Sequence, residues 1–281
     1  MIKKPLAWIV DSTAYISQEL TLHPDFFSVP LNIHFGEKQF VDGVDLTPTQ
    51  LYQKIKDTDD IPKTSQPSLG DFAELFKKFG EQYEQAIAIH LSGKLSGTLA
   101  ASKAGAEIAG FPVTFIDSLS LSYGITGMIE RGMEMHDSGV PIPEIIAQLE
   151  KMPGTMHNYI LIGQLDQLYK GGRMSGVQFF IGSLLKIKPI VQITKEGGLQ
   201  AIEKVRSEKK ALQYLIDKVI EGHHVGRRKT YIMHGNVRDQ ATHLKNLILE
   251  QIPGLEVEIG DISSVLAVHG GEGTLAVLWF D

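Results

Sequence analysis

Two short hydroxyl-rich segments hold the residues best suited to chemistry, Thr64-Ser65-Gln66-Pro67-Ser68 and Leu91-Ser92-Gly93-Lys94-Leu95-Ser96-Gly97-Thr98. Both read as helix starts. The second follows an apolar strand-like run, Ala86–Leu91, and leads into a stretch rich in Ala and Gly. Such a strand–turn–helix passage makes an anion pocket: the unpaired N–H groups of the first helical turn point outward, and the helix dipole favours negative charge there. Hydroxyls add donors without adding charge, which suits a carboxylate or a phosphate. His269, just before Gly270-Gly271-Glu272-Gly273, is a third candidate donor, since histidine titrates near neutrality.

Each of these residues also has an ordinary structural role. Ser96 can cap a helix and do nothing else, which is worth about 1 kcal/mol. His269 can be a hydrogen-bonded turn residue. The pairing of Ser96 with a second hydroxyl cluster, Thr64 and Ser65, favours a ligand. So do the tiny residues Gly97, Ala100, Ala101, Ala104 and Gly105, whose helix leaves its backbone open to close approach. Ser96, Asp117 and His269 also follow the Ser…Asp…His order of acyl hydrolases, which makes a serine hydrolase of acyl esters the rival reading. However, Gly93-Lys94-Leu95-Ser96-Gly97 puts the serine one place late for a G-x-S-x-G elbow. The sequence has no HExxH, P-loop or GxGxxG pattern, so neither a metal nor a nucleotide is expected.

The elements that must position these groups alternate. In the front half, Ala7–Val10, Ala86–Leu91 and Val113–Ile116 read as strands, and Thr47-Pro48 onward, Phe72–Phe79, Ser96–Ala109 and Leu121–His136 as helices. Asn32–Val41 reads as a hairpin turning at Gly36-Glu37-Lys38. Strands separated by helices imply right-handed crossovers and a parallel sheet, whose ligands sit at the carboxyl ends of its strands. Asp11-Ser12, Leu91-Ser92 and Asp117-Ser118 all fall at such ends. Prolines 141, 143 and 153 with Gly154 mark a boundary, giving domains 1–153 and 154–281. The back half reads as a mixed sheet: strands Tyr159–Ile162, Pro189–Thr194, Leu199–Arg206, Thr230–Met233 and Glu256–Ile259, helices Ser207–Glu221 and Val237–Gln251, and a closing strand pair, Val265–Val268 with Thr274–Trp279. Val177–Leu185 is apolar on nearly all sides, as a buried or cavity-lining segment is. Lys170, Arg173, Lys186, Lys188 and Arg206 make this half locally basic. That pattern fits solvated surface, or a docking rim on which Gly171-Gly172 aims Arg173.

Composition narrows the class. The chain has 281 residues, 43% hydrophobic and 21% charged, enough to bury a real core. A net charge of -6 argues against a nucleic-acid binder and a polybasic membrane-surface protein. The absence of cysteine excludes a disulfide framework and thiolate metal ligation. The apolar start is interrupted at Asp11, short of a secretory core, and no run approaches the roughly 20 apolar residues of a spanning helix. The expectation is a cytoplasmic protein with no stable membrane insertion.

Together these segments resemble the DegV family, whose studied members bind fatty acids. The resemblance runs over nearly the whole chain. It rests on Ile9-Val10-Asp11-Ser12-Thr13, Asp42-Gly43-Val44-Asp45-Leu46, the Thr-Ser-Gln-Pro-Ser and Leu-Ser-Gly-Thr pair, Asp117-Ser118, Lys170-Gly171-Gly172-Arg173, Ile187-Lys188-Pro189-Ile190 and the run at His269. It implies an α/β protein of two domains, parallel-sheet in front and mixed-sheet behind, with one acyl chain buried between them. It further implies a carboxylate held by Thr64, Ser96 and His269, with Ser65 and Gly97 beside them. No cofactor is implied beyond the bound fatty acid, and no activity of the chain's own. A separate ATP-using fatty acid kinase would be the partner, with Arg173 on the rim it meets. Neutral donors suit such a role, because a cationic clamp would make the carboxylate a poorer nucleophile toward ATP. No Lys or Arg is therefore expected to contact it. The chain departs from the family pattern at Leu99, where an aromatic is usual, and at Glu272, where a proline is common.

Overall fold

A computed structural model describes residues 2–58, 61–173, 175, 187–223 and 229–281. The described strands are β1 (Lys4–Asp11), β2 (Phe26–Val29), β3 (Asn32–Phe35), β4 (Lys38–Val41), β5 (Lys63–Ser65), β6 (Tyr83–His90), β7 (Val113–Asp117), β8 (Met156–Leu161), β9 (Lys188–Ile193), β10 (Leu199–Val205), β11 (Lys229–His234), β12 (Glu256–Asp261) and β13 (Leu275–Phe280). The described α-helices are α1 (Gln18–Leu22), α2 (Pro48–Asp57), α3 (Leu69–Gln82), α4 (Thr98–Ala109), α5 (Tyr123–Asp137), α6 (Ile142–Leu149), α7 (Leu165–Lys170), α8 (Glu208–His223), α9 (Arg238–Gln251) and α10 (Ser264–Gly270).

The front half carries a four-stranded parallel sheet, ordered β2-β1-β6-β7. Both faces of β1 are buried, as its unbroken apolar run requires. Ala7 and Ile9 pack on Phe72, Phe76 and Phe79 of α3, while Leu6, Trp8 and Val10 pack on α5 and α6. The back half carries a mixed six-stranded sheet, ordered β10-β9-β8-β13-β11-β12. The helical layer of α8 and α9 covers the face holding Leu161, Ile190, Ile232, Val277 and Trp279. The opposite face, with Ile160, Val191, Met233, Ala276 and Leu278, looks toward the front half instead. A third, three-stranded sheet, β4-β3-β5, packs its Leu31, Ile33 and Phe35 into that same cluster. The parallel front sheet and mixed back sheet are as the sequence implies. The expected divide at 153/154 falls in a short 3-10 turn, Met152–Thr155, just ahead of β8.

Three local expectations are corrected. Val265–Val268 is not a strand: it lies in α10, which Ser263 caps by accepting the Leu266 N–H. Four apolar residues cannot distinguish strand from helix by period, and the cap decides. Thr64 and Ser65 do not open a helix but pair with β3, Thr64 opposite Ile33. Pro67 disfavours helical geometry in the residue before it, and the helix starts only after the Ser68 capping box. Ser96 is not the cap of α4: Gly97 holds that position without a side-chain bond. The apolar run Val177–Leu185, with Lys186, lies outside the described residues.

Candidate functional site

The three expected donors converge from different elements. Thr64 reaches the site from β5, His269 from the end of α10 and Ser96 from the loop between β6 and α4. Thr64 Oγ1 and His269 Nε2 are 2.8 Å apart. Ser96 Oγ lies 2.9 Å from Thr98 Oγ1. The two hydroxyl segments touch through Gln66, whose Nε2 would stand 2.9 Å from a Cβ added at Gly97. Gly97 thus serves by being small.

Buried carboxylates shape the Ser96 loop. Asp11 Oδ2 accepts the Leu91 N–H at 2.7 Å and lies 3.2 Å from His90 Nδ1. Asp117 accepts from Gly93 and Leu119 N–H at 3.1 and 2.9 Å. Ser92 Oγ donates to the Gly197 carbonyl at 2.8 Å, tying this loop to the β9–β10 turn of the back sheet. The carboxylates expected at the strand ends are therefore committed to backbone, and the hydroxyls are left for a ligand.

The donors line one end of a cavity of about 890 Å³ of atom-free space. Only about 100 Å³ of it admits the centre of a water-sized sphere, so it is narrow throughout. Leu31, Leu91, Leu95 and Leu121 line it from the front half, and Ile160, Val191, Met233, Ala276 and Leu278 from the open face of the back sheet. Thr64, Ser96, Ser122, Arg173, His269 and Thr274 are the polar side chains among the described lining residues. Ser65 is not among them. Alternation along β5 turns it to the other face, where its Oγ lies 2.8 Å from His34 Nε2.

Burial, reinforced by Arg173, lowers the His269 pKa to about 4, so the imidazole is neutral at physiological pH. Its Nδ1 is buried without a partner, an orphan that an incoming anion or water can satisfy. The ring fits only because residue 171 is glycine: a Cβ there would collide with His269 Nδ1. Arg173 lines the cavity rather than standing clear of it, and burial lowers its pKa. Its guanidinium is engaged by the protein, donating from Nε to Leu95 O at 3.3 Å and from Nη1 to Gly171 O at 2.7 Å. It staples the Ser96 loop to the turn that cradles His269. Nothing in the glycine pair alone announced this.

A hydrolytic triad is not assembled from Ser96, Asp117 and His269. His269 pairs with Thr64, and Asp117 holds backbone amides. The serine–histidine–aspartate series that does exist was missed by the sequence reading: His90 Nε2 lies 2.9 Å from Ser102 Oγ, with Asp11 on the other ring nitrogen. All three side chains are fully buried, and Phe72 stacks edge-on to His90. No substrate reaches Ser102. Among the described residues there is no cluster able to hold a metal ion, and no helix long and apolar enough to cross a membrane.

Fold and site define a two-sheet α/β binding protein, with a narrow apolar cavity ending at neutral hydrogen-bond donors. The chain belongs to the DegV family, whose model, described as that of an uncharacterised protein family, matches residues 5–281. The DegV domain-containing protein lin2658 of Listeria innocua is 33% identical over 99% of each chain. The fatty acid binding DegV family protein SAG1342 of Streptococcus agalactiae superposes with a TM-score of 0.91 at 29% identity, covering 99% of each chain. A Streptococcus pneumoniae fatty acid kinase B3 protein loaded with linoleic acid shares the fold, with a TM-score of 0.84 at 22% identity over 98% of this chain and 99% of that one.

Proposed function

We propose that this chain binds one long-chain fatty acid, burying the acyl chain in the cavity and hydrogen-bonding its carboxylate through Thr64, Ser96 and His269. It acts as a binding protein rather than an enzyme. It presents the carboxylate, from a cytoplasmic setting, to a separate ATP-dependent kinase. The observation that carries this reading is the Thr64–His269 pair, with Ser96, at the end of a cavity otherwise lined by aliphatic side chains. Burying a chain is worth about 0.8 kcal/mol per CH₂, so a dry, narrow cavity can hold a long one tightly. A buried carboxylate then needs donors, and neutral ones satisfy it without quenching its nucleophilicity. Arg173, whose guanidinium is already shared between two carbonyls, stabilises the mouth that a kinase would meet. The divide between the two halves is placed at residue 153.

Mass spectrometry of organic extracts of the purified, denatured protein tests this directly. A stoichiometric fatty acid is expected from the wild type and much less from Ser96→Ala. Arg173→Ala is expected to retain the acyl ligand and to lose coupling to the kinase. Extracts free of acyl ligand, together with no uptake of added fatty acid, would remove the reading.

A further inference from the structure

One sequence motif, Asp42-Gly43-Val44-Asp45-Leu46, has no part in the site described so far. Yet the Asp42 carboxylate is 4% exposed and lies where three parts of the structure meet. It accepts from Ser12 Oγ, at the end of β1, at 2.7 Å. Its own backbone N–H donates to Leu31 O, ahead of β3, at 2.9 Å. The Ser264 hydroxyl and the backbone N–H groups of Ser264 and Val265, the first turn of α10, also favour its charged form. The other end of α10 carries His269. β3 in turn pairs with β5, which carries Thr64, and α10 packs on both strands.

We propose that Asp42 is a positioning residue for the carboxylate clamp: as an anion it pins the start of α10 to β1 and the small sheet, and so sets His269 against Thr64. This rests on the fatty-acid-binding reading above. A carboxylate is the right group for the task. It is the one side chain that accepts several N–H and O–H donors at once, and its charge strengthens each bond. A seven-residue helix has little stability of its own, so its direction depends on how its ends are held.

A plain stabilising cap would leave a different signature. Burial pushes the Asp42 carboxyl up to about 6 despite its donors, so its charge is kept at a cost to stability. Of the groups facing it, Tyr15 and Asp261 line the same cleft, and Asp45 accepts the Val41 N–H in its own loop. None of these is a cation that would offset that cost. Neutralising Asp42 is therefore expected to leave the fold intact while loosening the clamp.

The test is binding of the fluorescent fatty acid cis-parinaric acid by full-length wild type and Asp42→Asn, from pH 5 to pH 8, with melting temperatures measured alongside. At pH 7.5 the variant is expected to bind about tenfold more weakly, with an unchanged or higher melting temperature. By pH 5 the affinity ratio is expected to collapse toward one, because wild-type Asp42 is then protonated. The probe's own carboxyl titrates in both proteins and drops out of the ratio. A ratio of one at pH 7.5, or a ratio that ignores pH, overturns the proposal. Wild type that never binds the probe defeats the fatty-acid reading instead. Should Asp42→Asn fail to fold, Asp42 is a structural cap and the proposal falls. Ser12→Ala, which removes one donor to Asp42, must show the same pH-dependent loss in smaller measure.

Discussion

Thr64 and His269 stand 205 positions apart in the chain, yet their hydroxyl and ring nitrogen are 2.8 Å apart. Thr64 belongs to the edge of the small sheet and His269 to the end of a helix packed across it. A neutral imidazole beside a hydroxyl can send one hydrogen bond into a bound carboxylate and relay another from its neighbour, so the two act as one unit. Thr64→Val and His269→Gln should each weaken fatty acid binding by about 1.5–3 kcal/mol, the usual range for a hydrogen bond to a charged group. The double variant should lose less than the sum, because either single change already breaks the pair. Titration of a fluorescent fatty acid against the four proteins measures the coupling, and strict additivity would show the two side chains to be independent.

His269 also ties stability to pH. Its folded pKa, lowered to about 4 from the model value of 6.5, means the unfolded chain binds the extra proton between those values. Stability from this group is therefore fully present above about pH 6.5 and is lost as pH falls toward 4. At about 1.36 kcal/mol per unit this amounts to at most about 3 kcal/mol. Asp42 works in the opposite direction: its raised pKa makes the folded chain hold a proton longer, so stability falls as pH rises toward 6. The contributions separate in a comparison of wild type with His269→Gln. Urea unfolding at pH 4.5 and 7 should show the gap between the two proteins shifting by about 2 kcal/mol in favour of wild type at the higher pH.

Much of this was legible in the sequence because it rests on period and punctuation. The apolar runs of β1, β6 and β7, each followed by a helix, announce a parallel sheet, and the Thr47-Pro48 and Ser68–Asp71 signals place two helix starts where the structure has them. What could not be read depends on partners far along the chain. β5 is three residues long and exists only because β3 offers an edge. Its pairing decides that Thr64 faces the cavity and Ser65 faces His34, a distinction that two adjacent hydroxyl residues cannot express. The role of Arg173 was hidden for the same reason, since its acceptors are carbonyls of Gly171 and Leu95.

Two glycines near the site should respond differently to alanine. At Gly171 the new methyl collides with the His269 ring, which has Thr64 on its other nitrogen and little room to move. At Gly97 the collision is with the amide end of Gln66, a long side chain that can rotate away. Gly171→Ala should cut fatty acid affinity at least tenfold, while Gly97→Ala should change it by less than about threefold. Neither glycine offers a side chain to a ligand, so the contrast reports on how His269 is seated. Equal effects at both positions would remove that account.

The hydrolase alternative makes its own demand. A serine nucleophile needs a base on its hydroxyl and access to substrate. Ser96 has access but pairs with Thr98, while Ser102 has its histidine and aspartate but no exposure. A fluorophosphonate probe should therefore label neither residue in the folded protein. His90→Ala should lower stability by about 2 kcal/mol or more, because it leaves the Asp11 carboxylate buried and short of one partner. It should leave fatty acid binding nearly unchanged wherever the protein remains folded. Labelling of Ser96 that vanishes in His269→Gln would reverse this conclusion and make the site catalytic.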